Sequence, residues 1–83
     1  MGNATKILAG MRRHPQDWRI EDLKAVAKHF GIAHRQQGTS HVTFRYPGVV
    51  LVVVPARRPI KPIYIRQFLR LIDSVTDFSG GGA

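Results

Sequence analysis

The chain contains no cysteine. Two common ways of holding a small domain together, a disulfide framework and a thiolate zinc site, are therefore closed to it. Acidic residues are scarce as well, five Asp and Glu among 83 residues. The closest pair, Glu21 and Asp22, is adjacent in sequence, so on a helix the two side chains diverge. That argues against a two-metal site or a paired-carboxylate hydrolase. Long apolar runs are missing too. The longest, residues 49–54, falls far short of a bilayer span, and residues 7–11 are too short for a signal-peptide core. The expectation is a cytoplasmic protein that does not engage a membrane. The first residues look faintly like a myristoylation signal, but Lys6 stands where that motif needs Ser or Thr. No Walker-type phosphate loop occurs, and residues 38–42 lack the second glycine of a nucleophile elbow.

What the chain has in excess is positive charge. Thirteen Lys and Arg give a formal net charge of +8, which attracts nucleic acid, an anionic membrane or an acidic protein. Nine of the thirteen are Arg, and a planar guanidinium suits phosphates and base edges better than lipid headgroups. Nucleic acid is the favoured partner. The length allows one helix layer on one sheet, with residues 1–78 read as a single domain and residues 79–83 as a disordered Gly-rich tail.

Ile7, Leu8 and Met11 sit at helical spacing in a short helix over residues 5–13, which Pro15 closes. Asp17 is placed to cap the next helix, over residues 18–30, whose stripe is Ile20, Leu23, Val26, Ala27 and Phe30. Gly31 fits its C-terminal cap. The period then changes to two. Residues 32–36 read as a first strand, and residues 41–46 alternate, with Val42, Phe44 and Tyr46 on one face and His41, Thr43 and Arg45 on the other. Pro47-Gly48 is a turn, and residues 49–54 read as a β-branched central strand. Pro62 then opens a last helix with the stripe Ile65, Phe68, Leu69 and Ile72. The fold class is α+β, with a three-stranded antiparallel sheet, helices on one face and an extra N-terminal helix. The uncovered face carries His41, Thr43 and Arg45 beside the basic loop of Arg57, Arg58 and Lys61.

Of four histidines, His14, His29 and His34 read as solvated or capping residues, since no pair has metal-binding spacing on one helix face. His41 opens a strand on the polar face after Gly38-Thr39-Ser40. Imidazole is the side chain suited to take and return a proton near neutrality. On the residues alone His41 is either a surface histidine or such a group. Trp18 and Tyr46 read as packing residues.

The segment Gln37-Gly38-Thr39-Ser40-His41-Val42-Thr43-Phe44-Arg45-Tyr46-Pro47 resembles the signature of the HicA messenger-RNA interferases, in which Gly, a small hydroxyl residue, one variable position and His open a strand. Ile20-Glu21-Asp22-Leu23 with His29-Phe30-Gly31 is similar to that family's first main helix and its glycine stop. Val52-Val53-Val54-Pro55 resembles its valine-rich strand, and Ile60-Lys61-Pro62 with Ile65-Arg66-Gln67-Phe68-Leu69 its last helix. The resemblance covers about residues 5–75. Many members carry consecutive histidines where this chain has Ser40-His41, which leaves His41 alone to act, and Arg19 stands where a capping serine is common.

The resemblance implies a double-stranded-RNA-binding-like α-β-β-β-α fold. It implies the toxin of a type II toxin-antitoxin system, cutting messenger RNA without metal or cofactor, with RNA and a HicB-type antitoxin as partners. In that reading His41 is catalytic and Gly38, Thr39, Ser40, Thr43, Arg45, Arg57, Arg58 and Lys61 contact the RNA. Two rivals remain: a non-catalytic RNA-binding module, and an adaptor whose basic face takes an acidic protein.

Overall fold

The computed structural model describes residues 3–38, 40–49, 51–57 and 59–80. Three helices and three strands follow one another as α1 (Asn3–Arg13), α2 (Ile20–His29), β1 (Ala33–Gln37), β2 (His41–Arg45), β3 (Val52–Pro55) and α3 (Pro62–Gly80). The strands form an antiparallel meander in the order β1-β2-β3. The α+β class and the three-stranded antiparallel sheet expected from periodicity are present.

Helix α2 begins at Ile20, two residues later than its apolar period suggests, and Asp17 does not cap it. Asp17 instead takes a left-handed backbone, φ 65°, and the Arg19 N–H donates to the Asp22 carboxylate at 3.0 Å. A side chain inside the first turn thus satisfies the helix entrance in place of one before it. The other end is a Schellman stop. Gly31 takes φ 73°, the Ile32 N–H donates to the Ala27 carbonyl at 2.8 Å, and the Gly31 N–H to the Lys28 carbonyl at 3.3 Å. This stop turns the chain directly into β1.

Pro47 and Gly48 form the β2–β3 turn. The Val49 N–H donates to the Tyr46 carbonyl at 3.0 Å, and Gly48 has φ 81°, the positive value that a proline-first type II turn requires at its second central residue. Strand β3 is short and lies at the sheet edge, not at its centre, which corrects the reading of the valine run. Two hairpins in succession put the middle strand of the sequence in the middle of the sheet. Because helices cover one face of the sheet and leave the other open, only alternate valines are buried: Val52 and Val54 face the core while Val53 is 42% exposed.

The core lies between one sheet face and the helices. Val42, Phe44, Val52 and Val54 meet Leu23, Val26 and Ala27 of α2 and Ile65, Phe68, Leu71, Ile72 and Val75 of α3. The rings of Phe44 and Phe68 pack edge to face with centroids 5.1 Å apart, a geometry that aromatic quadrupoles favour. Lys24 Nζ donates to Gln36 Oε1 at 2.9 Å, joining α2 to the edge strand β1. Helix α1 packs against α2 and α3, burying Met11 fully and Ile7 and Leu8 in part. Helix α3 runs through Ser79 and Gly80, the first two residues of the expected tail, while Gly81, Gly82 and Ala83 lie outside the described residues. Among the described residues no helix is long and apolar enough to cross a membrane.

Candidate nucleic-acid interface

Three residues, 38–40, connect β1 to β2, with Gln37 paired to His41 across the hairpin. Gly38 takes φ 67°, which costs a glycine no steric strain and turns the chain out of β1. His41 is thereby the first residue of β2, and it is exposed. On its other side His41 pairs with Pro55 of β3. The Ala56 N–H then donates to the Ser40 carbonyl at 2.8 Å, fastening the start of the basic loop to the hairpin. As a result Ser40, His41, Pro55, Ala56 and Arg57 line one open hollow.

Along β2 the two faces separate as the alternation predicts. Val42 and Phe44 are fully buried, His41 and Arg45 exposed, and Thr43 half-buried. An extended chain advances about 3.4 Å per residue, so Arg45 lies ~14 Å along the strand from His41. Arg45 and Thr43 belong to a separate hollow with Arg35 and Leu51.

Arg35 is a candidate that sequence reasoning missed. It pairs with Thr43 across the β1–β2 ladder, and directly opposed residues of an antiparallel pair share a face. Strand β1 reads Ala-His-Arg-Gln-Gln, with no apolar alternation to assign its faces. The strand expected over residues 32–36 ends one residue short of the observed β1, and a slip of one residue exchanges the two faces, so the sequence held no signal that places Arg35. The uncovered face is also less polar than expected, for Val53 and Leu51 are exposed on it or beside it.

A third hollow is lined by Pro55, Arg57, Pro59, Lys61 and Tyr64. Arg57 and Pro55 border both this hollow and that of His41. The far end of the basic loop is anchored by Ile60, whose side chain is buried and whose N–H donates to the Trp18 carbonyl at 2.9 Å. Trp18 is held in turn, because its indole N–H donates to the His14 carbonyl at 2.9 Å and its ring stacks on His14. Of the expected RNA contacts, Thr39 and Arg58 lie outside the described residues.

His14, His29 and His34 are exposed, and each ring lies against an aromatic neighbour: Trp18, Phe30 and Phe44 respectively. None of the three lines the hollow of His41, and among the described residues no carboxylate does. The arrangement brings an accessible imidazole, a hydroxyl side chain and the Arg57 guanidinium to a single surface depression. Such a set can move a proton and neutralise an oxyanion. No known protein-family model matches the chain, and neither a curated protein nor a solved structure matches it at a significant level.

Proposed function

We propose that this chain is a metal-independent endoribonuclease of the HicA toxin type, built on a double-stranded-RNA-binding-like fold, which cuts messenger RNA and is restrained by a HicB-type antitoxin. One observation carries the reading: exposed His41 shares its hollow with Ser40 and Arg57. The basic composition and the α-β-β-β-α order behind the short first helix support it.

In this reaction His41 accepts the proton of a ribose 2′-hydroxyl as that oxygen attacks the adjacent phosphorus. The bond from phosphorus to the 5′-oxygen of the next nucleotide breaks, and the departing oxygen takes a proton from water or from the imidazolium just formed. The products are a 2′,3′-cyclic phosphate and a 5′-hydroxyl. Arg57 sets its charge against the phosphate oxygens on which negative charge builds, and the Ser40 hydroxyl is a further donor. Arg45, Thr43 and Arg35 hold the strand farther along the open face, and Lys61 holds it beyond Arg57. General acid-base assistance of this kind contributes typically about 10²–10⁴-fold. That is modest for an enzyme, and sufficient for a toxin that must cut few messages to stop growth.

The test is RNA cleavage with and without a chelator, by the native protein and by His41→Ala. The native protein is expected to cut RNA in the chelator, to leave cyclic phosphate ends, and to spare RNA carrying a 2′-deoxy sugar at the cleavage position. His41→Ala is expected to bind RNA but not to cut it. Cleavage that survives in His41→Ala, or that stops when metal is removed, refutes the proposal. RNA binding with no cleavage by either protein supports the non-catalytic module instead.

A further inference from the structure

The hollow beyond Arg57 has a make-up that phosphate binding alone does not need. Tyr64 lies in the first turn of α3, its N–H donating to the Lys61 carbonyl at 2.9 Å. Its ring is half-buried, packed in part against the core while also lining the hollow. Pro55 and Pro59 form further walls, and Arg57 and Lys61 supply charge at the same place. Tyr64 stands outside the core positions Ile65, Phe68 and Ile72 that hold α3 to the sheet. The ring therefore has an apolar footing and an accessible part beside two cations.

We infer that this hollow is a base-binding subsite adjoining His41, where Tyr64 stacks one unpaired base of single-stranded RNA next to the scissile phosphate that Arg57 holds. The inference rests on the ribonuclease reading above and names its substrate class. Aromatic rings bind bases through their faces with little regard to sequence. A base inside a duplex is already stacked on its neighbours, and proteins that read bases in RNA take them from single strands, loops and ends. The walls are stiff, since proline has a fixed φ and the first turn of a long helix holds Tyr64, so little order is lost when a base enters. Continuity with the site comes from Arg57 and Pro55, which border both hollows. A strand whose scissile phosphate lies at His41 passes Arg57 and reaches Tyr64 with a neighbouring nucleotide.

The affinity of the His41→Ala protein for a short fluorescein-labelled single-stranded RNA tests this, using the same RNA with abasic nucleotides placed singly along it and the same RNA as a duplex. Tyr64→Leu keeps apolar bulk for the core and removes the ring face, while Tyr64→Phe keeps both. On the His41→Ala background, Tyr64→Leu is expected to weaken single-strand binding by at least about fivefold, the loss of one stacked base, and Tyr64→Phe to bind as Tyr64 does. One abasic position should weaken binding by a similar factor when Tyr64 is present and have no further effect with Tyr64→Leu. Duplex binding should not respond to Tyr64. Equal binding by the Tyr64 and Tyr64→Leu proteins, or a Tyr64→Leu loss that is the same on intact and abasic RNA, overturns the subsite. Cleavage by the protein with His41 intact is measured separately. Absence of cutting removes the nuclease reading, while the affinity series still decides whether a base sits on Tyr64.

Discussion

Gly10 lies in α1 beneath the indole of Trp18, where one added methyl group probes how firmly the basic loop is anchored. A Cβ at position 10 would stand 2.9 Å from Trp18 Cη2 and 3.0 Å from Cζ2, well inside the ~3.5–4.0 Å at which carbon atoms attract. The ring is not loose. Its N–H is bonded to the His14 carbonyl, its face stacks on His14, and it packs against the core. Overpacking at a held side chain costs about 1–3 kcal/mol. Against this, Ala is favoured over Gly in a helix interior by about 1 kcal/mol. Gly10→Ala is thus expected to destabilise the protein by roughly 0–2 kcal/mol. On a Trp18→Leu background the obstructing ring is gone, and the same substitution should stabilise by about 1 kcal/mol. Urea unfolding of the four proteins measures this change of sign as a coupling of roughly 1–3 kcal/mol. Native-state hydrogen exchange adds a local reading, for the Ile60 N–H bonded to the Trp18 carbonyl should exchange faster in Gly10→Ala. Equal stabilisation in both backgrounds would refute the reasoning, because the indole would then impose no restraint on α1.

Three further outcomes follow from the packing and the charges. Phe44 is fully buried between the strands and Phe68, so Phe44→Ala should cost about 3–5 kcal/mol in thermal or urea unfolding. That is a large share of the roughly 4–12 kcal/mol expected for a domain of this size, and a loss below about 1 kcal/mol would contradict the observed core. The Arg12–Asp73 ion pair joins α1 to α3 with its side chains 44% and 59% exposed. Arg12→Ala should therefore change stability by less than about 1 kcal/mol, with the difference vanishing near 1 M salt. Arg35→Ala and Arg45→Ala should each lower affinity for single-stranded RNA and reduce the salt slope by about 0.7, and an unchanged slope would remove that residue from the interface.

Local rules account for much of how this chain folds. The apolar period located α2 and α3, Gly31 marked the stop of α2, Pro47-Gly48 marked the second hairpin, and alternation separated Val42 and Phe44 from His41 and Arg45. Each depends on residues close in sequence, where φ/ψ preference and spacing act directly. The failures share a cause of the opposite kind. Asp17 has the right chemistry for a cap and sits two residues too early, because the Trp18–Ile60 bridge and the Asp22 carboxylate define the helix entrance. The valine run has the composition of a central strand, yet two hairpins in succession leave it at the edge.

The same division runs through the candidate site. Charge, the absence of thiols and the motif from Gly38 to His41 were legible in the amino acids themselves, because composition and short spacings need no partner to be read. Only the folded chain decided that Arg57 lines the hollow of His41 while Arg45 lines a neighbouring one, that Arg35 pairs with Thr43, and that Tyr64 stands beside the basic loop. These neighbours are set by strand register and by the hydrogen bonds that fasten the two ends of the basic loop, from Ala56 to Ser40, sixteen residues apart, and from Ile60 to Trp18. A periodic pattern specifies which side of an element a residue occupies, but proximity across elements exists only once the strands have paired and the core has closed over Phe44.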